Sequence, residues 1–123
     1  MLRIVIPGTF PSLNEYIAAN KVRRGSWCKG NSMKQSDQKR IMYRLPKLRI
    51  EHPVILHYFF YCRNRRMDID NICGYFHKVF QDALVAGGII PDDGWRYVRG
   101  MTDSFEIDSN NPRVEIVIEK YKV

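Results

Sequence analysis

An apolar stripe between Ile72 and Leu84 restricts the possible folds of this sequence more than any other feature. Apolar residues recur there at spacings of three and four, which places them on one face of an α-helix. The members of the stripe are Ile72, Tyr75, Phe76, Val79, Phe80, Ala83 and Leu84. Gly87 and Gly88 follow, as expected at a helix C-terminus. A helix with such a face requires an apolar surface on which to pack.

Four segments are typical of β-strands, because they alternate apolar and polar residues or are rich in β-branched and aromatic ones. The predicted strands are Leu2–Ile6, residues 54–62, Arg96–Ile107 and Val114–Tyr121. Ser12 and Glu15 form a capping box that predicts a short helix, and residues 36–47 have helical character up to Pro46. Residues 21–32 predict an exposed loop, since they contain two glycines, four basic residues and no acidic one.

These elements predict an α+β fold in which a mixed β-sheet packs against two or three helices. A chain of 123 residues is of the size of one domain, so we expect residues 1–123 to form a single one. No apolar run has the length of a membrane span, and Pro7 and Gly8 interrupt the N-terminal apolar stretch where a signal peptide continues it. We therefore expect no membrane partner and a cytoplasmic location. Cys28, Cys62 and Cys73 lack zinc-site spacing and are interpreted as reduced thiols.

The net charge of +7 is divided unevenly along the chain. Residues 1–66 contain 14 basic and three acidic side chains, whereas residues 67–123 contain six basic and ten acidic ones. A concentrated basic surface suits a polyanion such as nucleic acid, because each neutralised phosphate releases condensed counterions. A solvated basic face that only maintains solubility is the alternative.

Asp68 and Asp70 lie between the predicted strand 54–62 and the predicted helix that starts near Asn71. In an extended segment, residues i and i+2 point to the same side, so both carboxylates can face one point. A divalent cation removes their mutual repulsion, and Mg²⁺ takes one or two carboxylates together with water and phosphate oxygens. Asp92 and Asp93 would add a third carboxylate if the sheet returned their turn to the helix start.

Simpler interpretations of these aspartates remain open. An aspartate beside a helix N-terminus is commonly a cap, and "PDDG" is a good turn sequence. The alternative function is therefore a non-catalytic DNA-binding protein in which the aspartates cap the helix. A third hypothesis, an enzyme that binds a metal-nucleotide through Asp-x-Asp as sugar transferases do, leaves little room for a nucleotide-binding domain.

The joint pattern "RMDIDN…HKVFQDAL…AGGIIPDDGW" resembles the RusA family of Holliday-junction resolvases. The resemblance is good from Arg66 to Asp93 and weaker in "IPGTFPSLNEYI" and "NPRVEIVIEKY". It implies a RusA-like fold and an Mg²⁺-dependent endodeoxyribonuclease, with Mn²⁺ as an alternative ion. The implied substrate is a Holliday junction or other branched DNA in recombination or repair, cleaved by a homodimer because symmetric cleavage needs two sites.

The resemblance also implies roles for individual residues. Asp68, Asp70 and Asp93 take the metal-binding acidic positions, and Lys78 takes the position of a catalytic lysine that stabilises charge in the transition state. The family places this lysine four residues after the second aspartate, where this chain has Gly74, so four additional residues precede the "DAL" motif. The expected DNA-binding residues are Asn14, Arg23, Arg24, Lys29, Arg63, Arg65 and Arg66.

Three other side chains have a functional and a plain interpretation. His77 could contact phosphate but is more simply a surface histidine. Trp27 could stack on an unpaired base or could pack against the protein. Trp95 is most simply a core residue, as is Tyr97.

Overall fold

The computed structural model describes residues 1–122, which form six strands and three helices. The strands are β1 (Leu2–Pro7), β2 (Arg23–Arg24), β3 (Trp27–Cys28), β4 (Val54–Cys62), β5 (Val98–Ile107) and β6 (Arg113–Lys120). The helices are α1 (Leu13–Asn20), α2 (Lys29–Met42) and α3 (Ile69–Ala86). The prediction of an α+β fold with a mixed sheet is confirmed.

Four strands form the main sheet in the order β1-β6-β4-β5. β6 pairs antiparallel with both β1 and β4, whereas β4 and β5 are parallel. A parallel pair requires a crossover that returns the chain along the full length of the strand. Helix α3 is this crossover, so the segments before and after it lie at opposite ends of the sheet.

The core lies between the sheet and the apolar face of α3. Side chains of β4 alternate strictly, and Val54, Leu56, Tyr58 and Phe60 are buried on the helix side. The predicted stripe of α3 faces them, with the Phe76 ring edge-on to Tyr58 at a centroid distance of 5.9 Å. Each buried ring of this kind stabilises the fold by about 1.5–3 kcal/mol through the area removed from water. The amphipathic pattern of the sequence thus determines how α3 docks.

Helix α1 begins as predicted, with a complete capping box between Ser12 and Glu15. It crosses α3 where that helix has Gly74. A Cβ atom at Gly74 would lie 3.1 Å from Cδ2 of Leu13, so a larger residue there would require the Leu13 side chain to shift. Close helix packing therefore explains the glycine.

Several element boundaries differ from the sequence-based prediction. Residues 21–32 do not form a plain loop: β2 and β3 pair as a hairpin whose turn contains Gly25 at φ +59°, and α2 begins directly afterwards at Lys29. Positive φ is accessible to glycine without strain, which permits the tight turn. Helix α2 ends at Met42, before Pro46, and β5 begins at Val98 rather than Arg96.

Trp95 is also placed differently from the prediction. Its side chain is 90% exposed in the turn before β5, so the expectation of a core residue was wrong, whereas Tyr97 is half-buried. Within residues 1–122, none of the helices combines the length and apolar content required to cross a bilayer.

Candidate active site

The start of α3 presents the carboxylates of Asp68 and Asp70. Asp68 is the N-cap residue, and its backbone oxygen accepts hydrogen bonds from the backbone nitrogens of Asn71 (3.0 Å) and Ile72 (3.2 Å). Its side chain makes no capping hydrogen bond, and Asp70 lies exposed in the first helical turn. Among the hydrogen bonds and ion pairs of residues 1–122, neither carboxylate has a partner. Asp68 is therefore not a capping side chain.

The local backbone differs from the expected extended segment. Helix α3 starts at Ile69, so the pair Asp68 and Asp70 spans the helix start instead of lying along a strand. The first helical turn carries unpaired backbone N–H groups and the positive end of the macrodipole, which favour negative charge. Both aspartates thus lie at the end of α3 that follows β4, Asp68 as the N-cap residue and Asp70 in the first helical turn.

Asn14 lies beside this helix start, as its assignment to the site requires. Its backbone nitrogen donates to Oδ1 of Asn71 at 2.9 Å. This bond attaches the beginning of α1 to the first turn of α3 and orients the asparagine of the Asp-x-Asp-Asn motif. The contact uses the Asn14 backbone, and the Asn14 side chain is exposed.

Two grooves flank the segment that joins β4 to α3. One, of about 330 Å³, is lined by residues 8–11, the end of β4 and Arg113. The other, of about 540 Å³, lies between Asp68 and the end of β5. Met67 lines both grooves, and Asp68 lines the second one, so a ligand in the second groove can reach the Asp68 side chain.

Three arginines of this connecting segment remain available for a ligand. Arg63, Arg65 and Arg66 are exposed, and none of their guanidinium groups has an ion pair or hydrogen bond within residues 1–122. The turn is shaped by a different bond, from the Arg66 backbone nitrogen to Oδ1 of Asn64 at 3.0 Å. We refer to Arg63, Arg65 and Arg66 as the arginine segment. Unpaired cations next to unpaired carboxylates suit an anionic ligand that is bound together with a metal ion.

Asp93 does not join Asp68 and Asp70 within one chain. The fold thus corrects the expectation that the three carboxylates form one cluster. Helix α3 has 18 residues, which corresponds to about 27 Å between its ends. Asp93 follows the far end, where the backbone of Tyr97 accepts a hydrogen bond from Val54 at the beginning of β4. The parallel pairing of β4 and β5 causes this separation.

The two aspartates of the turn have different surroundings. Oδ1 of Asp92 accepts a hydrogen bond from the backbone nitrogen of Gly94 at 2.8 Å, which is a turn-stabilising contact. The exposed Asp93 carboxylate has no such bond within residues 1–122. Of the two, Asp93 is therefore the one free to bind a ligand.

Lys78 is exposed on α3 and lies eight residues after Asp70, about 12 Å along the helix axis. The family position of the lysine is Gly74, where a Cβ atom would lie 3.1 Å from Cδ2 of Leu13, so a long side chain there would require Leu13 to move. Lys78 therefore does not sit beside the aspartate pair as a residue one turn after Asp70 would.

The predicted DNA contacts Arg23, Arg24 and Lys29 lie on or directly after the β2–β3 hairpin and are exposed. Trp27 in the same hairpin is 45% exposed, so part of this residue is accessible to solvent. The buried end of the hairpin contacts α1, since Cys28 Sγ lies 3.8 Å from the backbone oxygen of Asn20. The hairpin thus has a regular structure and carries exposed basic side chains.

Two features near the site were not predicted from the sequence. His77 is not a free surface histidine, because its Nε2 lies 2.7 Å from Oδ1 of Asp103 on β5. Arg113 lines the first groove, stacks over the Tyr61 ring at 3.8 Å and pairs with Asp108 and Glu115. Helix–sheet packing brings His77 to Asp103, and strand pairing brings Arg113 to Tyr61, so no spacing signal in the sequence could indicate these two contacts.

Comparison with known families identifies the family of this chain. Residues 27–119 match the family model described as Endodeoxyribonuclease RusA, which is about three quarters of the chain. The chain belongs to the RusA endodeoxyribonuclease family. No protein of curated function matches it significantly. The matched range includes the arginine segment, the aspartate pair, Lys78 and Asp93, and it excludes Asn14, Arg23 and Arg24.

The aspartate pair of this RusA-family chain has the donor set that Mg²⁺ prefers. Mg²⁺ is bound through one or two carboxylates and retains waters or phosphate oxygens at its other positions. Asp68 and Asp70 are exposed and two residues apart, and their carboxylates accept no hydrogen bond from residues 1–122. Within one chain the fit is therefore a two-carboxylate site, without Asp93.

Proposed function

We propose that this RusA-family protein is a divalent-cation-dependent endonuclease that cleaves phosphodiester bonds in Holliday junctions and other branched DNA. The observation that carries the proposal is the free carboxylate pair Asp68 and Asp70 directly after the unpaired arginine segment. Carboxylates alone repel DNA, and arginines alone bind DNA but do not cleave it. Together they form a site that can hold a cation and an anionic backbone at once.

In this proposal each group of the chain has a separate task. Asp68 and Asp70 would hold Mg²⁺, or Mn²⁺, at the start of α3. When bound, the ion supplies Lewis-acid polarisation of the scissile phosphate and a more acidic attacking water. The arginine segment would hold the phosphates on either side, which orients the scissile bond over the carboxylates.

The remaining predicted residues contact DNA farther away. Lys78, at about 12 Å along α3 from Asp70, would bind a neighbouring phosphate and contribute less to the transition state than a lysine one turn after the pair. Arg23, Arg24 and Lys29 would bind a duplex arm, and Trp27 could stack on an unpaired base at the branch point. Asn14 would line the site beside Asn71.

A homodimer is part of the proposal, because resolution of a four-way junction requires two symmetric cuts. Since Asp93 lies at the opposite end of α3, it can serve as a metal ligand only in the site of a second copy. A protein that acts on chromosomal or phage DNA in recombination or repair would work in the cytoplasm, and we include this location in the proposal.

The non-catalytic alternative has less support. It requires the aspartates to act as helix caps, and the Asp68 side chain makes no capping hydrogen bond. An exposed carboxylate pair without a structural bond reduces DNA affinity through repulsion, which a pure binding protein has no reason to retain.

The function is tested with a labelled four-way junction and a linear duplex of the same sequence, each incubated with Mg²⁺. We expect paired nicks in the junction, loss of the nicks in Asp70→Asn, and equal or tighter junction binding by that variant because a repelling charge is removed. Glu51→Gln removes an exposed carboxylate outside the site and should cleave normally. Intact junctions with every divalent metal, despite tight binding, would support the binding-protein alternative instead.

The role of Asp93 is tested by mixing two inactive variants. If each site combines the aspartate pair of one copy with Asp93 of the other, a mixed dimer of Asp70→Asn and Asp93→Asn retains one complete site and nicks the junction once. If Asp93 acted on the site of its own chain, both sites of the mixed dimer would be defective and the mixture would stay inactive.

A further inference from the structure

Cys73, His77 and Asp103 form a side-chain cluster that the proposed nuclease chemistry does not use. Cys73 and His77 are one turn apart on α3, and Asp103 extends toward them from β5. One potential ligand atom from each residue lies within 4.8 Å of the other two. It is the only such group of three among the His, Cys, Asp and Glu side chains of residues 1–122. We call it the Cys-His-Asp cluster.

Neighbouring residues help to position His77 and Asp103. Tyr58 of β4 is directly paired with Asp103 of β5, and its ring packs on the His77 imidazole at a centroid distance of 4.5 Å. The Tyr58 hydroxyl accepts a hydrogen bond from Nε2 of Gln81 at 3.2 Å. One buried tyrosine thus helps to position both His77 and Asp103. Ligands held in place in this way lose little conformational freedom when they bind an ion.

We propose that Cys73, His77 and Asp103 bind a transition-metal ion of the zinc type, with the remaining coordination position open to water. A thiolate, an imidazole and a carboxylate are the donors that Zn²⁺ takes in proteins, and three protein ligands are typical of an open zinc site. The proposal goes beyond the nuclease function and does not depend on it.

The distances in the cluster are compatible with tetrahedral coordination. Zinc bonds of about 2.0–2.3 Å place tetrahedral ligand atoms about 3.3–3.8 Å apart, well within the 4.8 Å that encloses the cluster. The 2.7 Å contact between His77 Nε2 and Asp103 Oδ1 would open by about 0.6 Å to admit the ion. The side chains of His77 and Asp103 are 21% and 24% exposed, so neither is fully enclosed by the protein. Rotation of the two side chains can therefore accommodate such a shift.

The position of the Cys73 thiol favours a metal site over a simple ion pair between His77 and Asp103. Its only contact with a hydrogen-bond acceptor within residues 1–122 is a weak one, 3.9 Å from the backbone oxygen of Asp70. The thiol also lies beside the Asp103 carboxylate, whose negative charge attracts a cation, and a bound metal ion replaces the thiol proton.

The donor set separates this site from the aspartate pair. Mg²⁺ prefers oxygen ligands and avoids thiolates, whereas thiolate and imidazole select zinc-like ions. The two sites are therefore expected to bind different metals, although Asp70 lies one turn from Cys73. Zinc at the Cys-His-Asp cluster would connect α3 to the edge strand β5 and stabilise the chain by mass action.

Co²⁺ titration of the metal-free, untagged full-length chain tests the proposal, because a cobalt–thiolate bond produces a near-ultraviolet charge-transfer band. We expect the band at one Co²⁺ per chain, its removal by Zn²⁺, and its persistence in excess Mg²⁺. Cys73→Ser should abolish the band. Cys62→Ser is the matched control, since Cys62 is also a half-buried thiol whose pKa is raised by burial, and this variant should retain the band.

A second pair of variants keeps the test independent of folding and of nuclease activity. Asp103→Asn preserves a hydrogen-bonding partner for His77 and should weaken Zn²⁺ binding by at least about tenfold in equilibrium dialysis. Asp68→Asn should leave Zn²⁺ affinity unchanged even though it removes a proposed nuclease ligand. The proposal is overturned if the natural chain shows no charge-transfer band, if Cys73→Ser keeps it, or if Asp103→Asn binds Zn²⁺ as tightly as the natural chain.

Discussion

Replacement of Arg63, Arg65 and Arg66 by glutamine should reduce the salt dependence of DNA binding by an amount that the structure allows us to calculate. All three guanidinium groups are exposed and unpaired within residues 1–122, so each is available for one phosphate. Each phosphate contact contributes about 0.9 to the slope of log affinity against log salt concentration for duplex DNA. The triple variant should therefore have a slope smaller by about 2.7.

The slope converts into a direct difference in affinity. An increase from about 50 mM to about 200 mM salt should weaken the natural chain about 40-fold more than the triple variant. The measurement is a junction-binding titration by fluorescence anisotropy at several salt concentrations, without divalent cations so that the DNA stays intact. Stability should remain nearly unchanged, because none of the three side chains makes an ion pair within residues 1–122 that its removal would break.

Lys39, Arg44 and Lys47 provide the matched control. They are also exposed, and their replacement by glutamine removes the same net charge from a surface with no assigned DNA contact. We expect this control to retain most of the salt slope. An equal loss of slope in both triple variants would mean that total charge governs binding, and an unchanged slope in the arginine variant would refute the assignment of phosphate contacts.

Three further predictions concern stability. Tyr75→Phe should lower the free energy of unfolding by about 2 kcal/mol in urea titration, because the buried Tyr75 hydroxyl donates to Oδ2 of Asp37 at 2.7 Å; a loss under about 0.5 kcal/mol would contradict this. Phe76→Ala should cost about 3–5 kcal/mol by the same assay, since Phe76 is fully buried against β4, and a cost near 1 kcal/mol would disprove close packing there. Burial raises the pKa of Tyr58, so its contribution to stability is complete below the ordinary tyrosine pKa of about 10 and is lost as the pH rises beyond that value. Tyr58→Phe should therefore reduce the alkaline decline of the unfolding free energy by about 1.4 kcal/mol per pH unit. An unchanged decline would exclude this tyrosine as a cause.

The elements that sequence patterns predicted well are those determined by local chemistry. The stripe from Ile72 to Leu84 indicated α3 and its buried face, and the capping box at Ser12 indicated the start of α1. Gly88, at φ +75°, lies after the end of α3 as the glycine pair predicted. These signals need only neighbouring residues, so a single sequence contains them.

What the sequence did not indicate depends on strand pairing. Whether β5 lies parallel to β4 determines the end of the sheet at which Asp93 is found, and no residue near Asp93 encodes that choice. Parallel pairing separates Asp93 from Asp68 and also brings Asp103 to His77. The same unpredicted topology thus removed one expected ligand from the site and produced a cluster that the spacing of residues could not suggest.

The hairpin at residues 23–28 was missed for a different reason. Its two strands have two residues each, too few for an alternating pattern, and the first turn of α2 contains Gly30. The close contact of Gly30 with the Asn20 side chain requires the missing Cβ, which is a tertiary constraint. Propensity alone therefore favoured a loop over this part of the chain.

The central claim is that Asp68 and Asp70 hold the catalytic cation when DNA is bound, and Mn²⁺ electron paramagnetic resonance measures this directly. The experiment uses the chain with Cys73→Ser, so that the thiol contributes no metal site, in complex with a junction that carries non-hydrolysable linkages. We predict Mn²⁺ bound in the complex and its loss when Asp68→Asn and Asp70→Asn are added while the DNA remains bound. Equal Mn²⁺ binding with and without the two carboxylates would contradict the account.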